Sequence, residues 1–153
     1  MRALTLAATQ MTCGWDWEAN LSKAESLVRN AAQQGAQVIL IQELFEGPYF
    51  CKDQKPEYFE RAYPLANHPA VQPGRLQPHW HRGRHSCSLT FYGSSFITGP
   101  LGELRQQAGS QEEAVLVETF DLDEIQTMRQ GWGLFRDRRP GLYGSLLSLD
   151  GSD

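Results

Sequence analysis

The chain reads as an α/β fold on three grounds. Residues 3–9 are β-forming, an amphipathic helical stripe follows them, and an unbroken apolar run at 38–41 completes a strand-helix-strand unit. After residue 89 the β-formers return, with turn signals between them.

In the first third, a strand over 3–9 leads to a Gly14-Trp15-Asp16-Trp17 turn, where Asp16 can cap a helix by accepting backbone N–H bonds. Leu21, Ala24, Leu27, Val28 and Ala31 recur at helical spacing, and Gly35 suits the left-handed position that ends the helix. Val38, Ile39, Leu40 and Ile41 are bulky without alternation, which predicts a strand buried on both faces. A right-handed crossover makes it parallel to the first strand. Gln42 and Glu43 then emerge at its carboxyl edge. A carboxylate there is held on a rigid element and partly desolvated, the situation of a general base, and Glu43 is the candidate catalytic residue. A solvated loop glutamate or a helix cap is the plainer reading of that position.

Beyond Phe50 the chain is polar, and then Tyr58, Phe59 and Tyr63 offer aromatic anchors for a short helix. Pro69 could open another helix, which Pro73 and Gly74 stop within a turn. Residues 73–88 have neither apolar period, and they carry three arginines and no acid. His79, His81, His85 and Cys87 fall here. They could form a zinc loop, but without a second ligand pair or a carboxylate to orient the rings no metal site is assigned. Ser86-Cys87-Ser88 supplies no sharp turn for a nucleophile. Cys13 and Cys51 are also set aside, Cys51 as a small buried hydrophobe.

From Leu89 to Thr98 the composition is β-forming, and Gly99-Pro100-Leu101-Gly102 turns the chain into Glu103-Leu104-Arg105-Gln106 as a hairpin. Residues 114–120 make another strand, Asp121 or Asp123 caps a helix containing Ile125 and Met128, and Gly131 breaks it. Arg136, Asp137, Arg138 and Arg139 form a solvated charge run interleaved with Trp132, Phe135 and Tyr143, types enriched at interfaces.

Composition narrows the function classes. The chain has 153 residues, 41% hydrophobic and 21% charged, with a formal net charge of -4. That is material for one globular domain, with no phosphate-backbone partner and no nucleic acid. No apolar run is long enough to span a bilayer, so no membrane partner is expected. The first ten residues are too interrupted for a secretory core and read as a strand. Cys13, Cys51 and Cys87 are an odd number without CxxC pairing, which points to a reducing compartment and a cytoplasmic location.

Two blocks resemble a known family. Leu-Ala-Ala-Thr-Gln-Met at 6–11, Gly-Ala-Gln-Val-Ile-Leu-Ile-Gln-Glu-Leu-Phe at 35–45 and Pro-Tyr-Phe-Cys at 48–51 belong to the first, over residues 1–72. Phe-Tyr-Gly-Ser-Ser-Phe-Ile at 91–97 and Trp-Gly-Leu-Phe-Arg-Asp-Arg-Arg-Pro at 132–140 belong to the second, over 89–153. Both resemble the nitrilase superfamily of carbon–nitrogen hydrolases, and within it the N-carbamoylputrescine amidase branch. The resemblance implies part of an α-β-β-α sandwich, with the central part missing and 73–88 as an anomalous, irregular junction. A frameshift or internal deletion leaves such a junction; a genuine basic loop or linker is the alternative.

The resemblance also implies roles. Glu43 is the general base, while the lysine that stabilises the tetrahedral intermediate and the nucleophilic cysteine belong to the absent middle. Lys23, Lys52 and Lys55 are the only lysines, and each reads as a solvated surface charge. The implied substrate is a small carbamoyl amine, N-carbamoylputrescine, hydrolysed to putrescine, carbon dioxide and ammonia in polyamine synthesis. No cofactor is implied, and the full-length family associates as homo-oligomers through the C-terminal arm. Without nucleophile and lysine the chain should be inactive; the alternative is a non-catalytic association partner, or a chain whose open sheet edges keep it from folding.

Overall fold

The computed structural model describes residues 2–47, 49–53, 55–62, 64, 68, 70 and 89–150, the side chains of Glu60 and Arg61 aside. The junction at 73–88, the helix start at Pro69 and the anchor Tyr63 lie outside the described residues. The chain divides into two compact units, Thr5–Glu118 and Met1–Leu4 with Thr119–Asp153.

The first unit holds the strand-helix-strand grammar. Strand β1 (Ala3–Gln10) is followed by helix α1 (Trp17–Gln33), capped by Asp16, whose carboxylate accepts the Ala19 N–H at 3.1 Å. Gly35, at φ +89°, turns the chain out of the helix. Strand β2 (Val38–Leu40) then pairs parallel to β1 in the register Leu6–Val38, Ala7–Ile39 and Ala8–Leu40. Ala24 and Ala31 of the predicted stripe are buried, with Leu21, Leu27 and Val28 half-buried beside them. The α/β class and the parallel crossover are as expected, consistent with part of the nitrilase-type sandwich.

The burial of β2 is not as expected. Strand order in its sheet is β2-β1-β5, with β5 at Ala114–Asp121, so β2 lies at an edge. Opposed residues of parallel strands share a face. Ala7 and Thr9 are buried and Ile39 half-buried on one face, whereas Val38 is 55% and Leu40 71% exposed on the other. An apolar run without alternation predicts two covered faces; here one face is covered and one is open.

Two short 3₁₀ helices, Phe50–Lys52 and Pro56–Arg61, follow. Tyr58 is buried, packs on Phe50 at 5.8 Å between ring centres and donates to Asp53 Oδ2 at 3.3 Å. Phe59, its predicted companion anchor, points to solvent instead. Strands β3 (Phe96–Thr98) and β4 (Leu104–Gln107) form the predicted antiparallel hairpin, with an irregularity between Ile97 and Thr98. The strand is shorter than residues 89–98: Phe91 and Tyr92 are exposed and outside it. Gly93 lies at φ +60°, and a Cβ there would run into the Ser110 carbonyl.

In the other unit, Asp121 caps helix α2 (Leu122–Trp132) by accepting from the Asp123 N–H at 2.9 Å. Arg2 braces its first turn, Nε donating to Asp123 Oδ1 at 2.6 Å and Nη2 to Gln126 Oε1 at 2.8 Å. Gly131 sits inside α2 and does not break it; Gly133, at φ +68°, ends it. The helix runs on through Gly131 to Trp132, since one helical glycine costs only about 1 kcal/mol against alanine. The charge run at 136–139 is solvated as expected, and the Phe135 ring lies under the Arg129 and Arg138 guanidinium groups, 4.3 and 4.8 Å from its centre.

Candidate active site

In a parallel strand pair both chains leave at the same edge, and the loops after β1 and β2 meet there. Gln42 joins them. Its Oε1 accepts the Met11 N–H at 3.0 Å and its Nε2 donates to Cys13 Sγ at 3.0 Å. Asn20, in the first turns of α1 and 3% exposed, adds a second tie. Its Nδ2 donates to the Gly14 carbonyl at 2.8 Å and the Glu46 carbonyl at 3.0 Å, and its Oδ1 accepts the Gly14 N–H at 2.9 Å.

Glu43 opens the turn between these ties. Leu44 follows it in the left-handed region at φ +56°, a conformation that costs a side-chain-bearing residue about 1 kcal/mol or more and is found mainly where surroundings enforce it. The Glu43 side chain is exposed, so the desolvation expected at a strand end is not present. The physical reason is that β2 ends at Leu40, so Glu43 stands in the turn after the strand and not on the strand itself. Beside the turn, Glu46 Oε1 stands 3.3 Å from His68 Nδ1, and Tyr49 meets Phe91 edge-on with centres 5.6 Å apart.

Cys13 and Lys23, near this edge, are otherwise engaged. Burial pushes the Cys13 thiol up, which outweighs the lowering by Lys23 and keeps it a protonated, weak nucleophile at neutral pH. Cys51 is exposed, not a buried hydrophobe, because the 3₁₀ turn at 50–52 directs Phe50 inward instead. Lys23 is not the solvated charge its helical position suggests. Its ammonium donates to the Thr12 carbonyl and hydroxyl, each at 3.1 Å, and to Glu113 Oε1 at 2.5 Å. Lys52 and Lys55 are exposed. Among the described residues no three His, Cys, Asp or Glu side chains gather as a metal set; His79, His81, His85 and Cys87 lie outside them. No described helix is long and apolar enough to cross a membrane.

Sequence reasoning passed over Asn20 and Gln10. Gln10 Nε2 donates to the Gly109 and Glu112 carbonyls at 2.9 and 2.7 Å, while its Oε1 accepts the Ser95 N–H at 2.9 Å, tying the end of β1 to the hairpin. The signal for Asn20 was available: it occupies the apolar stripe at i to Ala24 and i+4, where a polar residue demands buried partners.

Residues 5–77 match the family model for carbon-nitrogen hydrolase. An N-carbamoylputrescine amidase of Solanum tuberosum is 30% identical over 292 aligned positions, which span 99% of this chain and 97% of the relative. The chain belongs to the carbon-nitrogen hydrolase family. An N-carbamoylputrescine amidase of Arabidopsis thaliana is 27% identical over 99% of the chain and 97% of its own length. A citrullinase of Francisella tularensis is 48% identical over 60 residues, 39% of the chain and 21% of that protein. Against 292 aligned positions this carbon-nitrogen hydrolase has 153 residues, so nearly half of the positions fall opposite a gap in it.

Proposed function

We propose that the chain is an amidohydrolase of N-carbamoylputrescine type in which Glu43 is the general base, and that it lacks this activity as encoded. The likeness to N-carbamoylputrescine amidases along both blocks supports the substrate. The placement of Glu43 on a pinned turn at the carboxyl edge of β2 supports its role. In the complete reaction a cysteine thiolate attacks the carbamoyl carbon, a lysine holds the oxyanion, and ammonia leaves to give a thioester that water hydrolyses. The base moves protons in both halves. The two blocks, 1–72 and 89–153, are parts of one hydrolase domain on this reading, joined through 73–88, and the chain works inside the cell, as an odd number of cysteines without a CxxC pair suggests.

The commitment of Lys23 to Glu113 and the raised Cys13 thiol favour inactivity: neither supplies the missing partner of Glu43. A non-catalytic association partner is the second reading, favoured by the exposed Trp132, Leu134, Phe135 and Leu142. Ammonia release from N-carbamoylputrescine tests the inactivity that both readings share. No release above the uncatalysed rate is expected; release abolished by Glu43→Gln would overturn inactivity while supporting Glu43 as base.

A further inference from the structure

We infer that Asn20 is a positioning residue for Glu43, an inference that rests on the reading of Glu43 as the base. Glu43 is exposed, in the turn that follows β2. What fixes it is the turn, and the turn is fixed on both sides. Gln42 is bonded to Met11 before it, and the Glu46 carbonyl is bonded to Asn20 after it, across 26 residues of sequence. Between them Leu44 is left-handed, and the Gly47 N–H donates to the Leu44 carbonyl at 3.4 Å.

The choice of asparagine follows from the count of bonds. The site needs two donors and one acceptor from one short, buried side chain, and an amide supplies them. Two of the bonds, to the Gly14 N–H and carbonyl, close the loop after β1 and concern α1 alone. The third reaches the Glu43 turn and has no part in that closure. If the turn swings away, a buried N–H is left without an acceptor, which holds the turn in place. Aspartate keeps the acceptor for the Gly14 N–H but sets a carboxylate against two carbonyl oxygens.

Amide hydrogen exchange and the ¹³C resonance of the Glu43 carboxyl, assigned by its loss in Glu43→Gln, test this on the full chain. In Asn20→Ala, amides of residues 43–47 exchange about tenfold faster, the loss of one buried hydrogen bond, while β1 and the body of α1 keep their rates. The Glu43 resonance moves toward that of an unstructured glutamate. Asn20→Asp reproduces both changes at neutral pH and reverts in part on acidification, when the protonated carboxyl regains one donor. Asn20→Ser, with one donor, serves if the alanine variant unfolds. Uniform acceleration across β1 and α1, or an unmoved Glu43 resonance, would overturn the inference. Ammonia release above the uncatalysed rate that persists in Glu43→Gln would remove the base, alone if local exchange in Asn20→Ala is faster and together with the positioning role if exchange is unchanged.

Discussion

The Lys23 ammonium and the Glu113 carboxylate meet at 2.5 Å across 90 positions of sequence, and Thr12 donates to the same carboxylate oxygen through its N–H and hydroxyl. These bonds, Lys23 first, hold the Glu113 carboxyl below the usual carboxylate range. A depressed carboxyl contributes stability that is present above its unfolded value, about 4.3, and lost as pH falls through its folded value. Both side chains are more than a third or near a third exposed, at 39% and 33%, so the contribution is screened and stays below about 1 kcal/mol. The stability difference between the parent and Glu113→Gln, measured by urea unfolding, is flat near neutral pH and closes on acidification below about pH 4.

Loss of the α1 cap has a separate cost. Asp16→Ala removes the acceptor for the Ala19 N–H and lowers stability by about 1 kcal/mol; Asp16→Ser restores most of it. Denaturant midpoints of the three proteins check this, with the slope unchanged.

Two glycines separate backbone strain from crowding. Gly35→Ala meets nothing within 4 Å and loses about 1 kcal/mol through its positive φ alone. Gly93→Ala adds a clash with the Ser110 backbone and loses on the order of 2 kcal/mol or more. Equal thermal shifts in the two variants would contradict the close approach at Gly93.

Leu40, 71% exposed, is replaceable. Leu40→Thr changes stability by less than about 0.5 kcal/mol and lowers aggregation, because it removes apolar surface from an open strand edge. A large destabilisation would mean that the face is covered after all.

The first forty residues were legible because each element is specified locally: the Asp16 cap, the apolar stripe and Gly35 all act within a few residues of where they stand. Burial was less legible. The run at 38–41 records a need for cover on two faces, and sequence cannot say whether the covering element is present. Periodicity likewise placed Lys23 on a helix surface without revealing Glu113, because an ion pair 90 residues apart leaves no local trace. At the candidate site, position could nominate Glu43, but the ties around it come from Asn20 and Gln42, whose amides report their partners only in three dimensions.

Neighbouring strands β1 and β5 are joined through more than half of the chain, yet that span weighs little on their pairing. The entropy of closing a flexible segment grows with the logarithm of its length, and doubling it costs only about 0.6 kcal/mol. A segment as long as the gap in the alignment with the Solanum tuberosum relative could enter or leave between the two strands at about that cost. Segment length by itself therefore costs this sheet little; what an inserted segment touches weighs more.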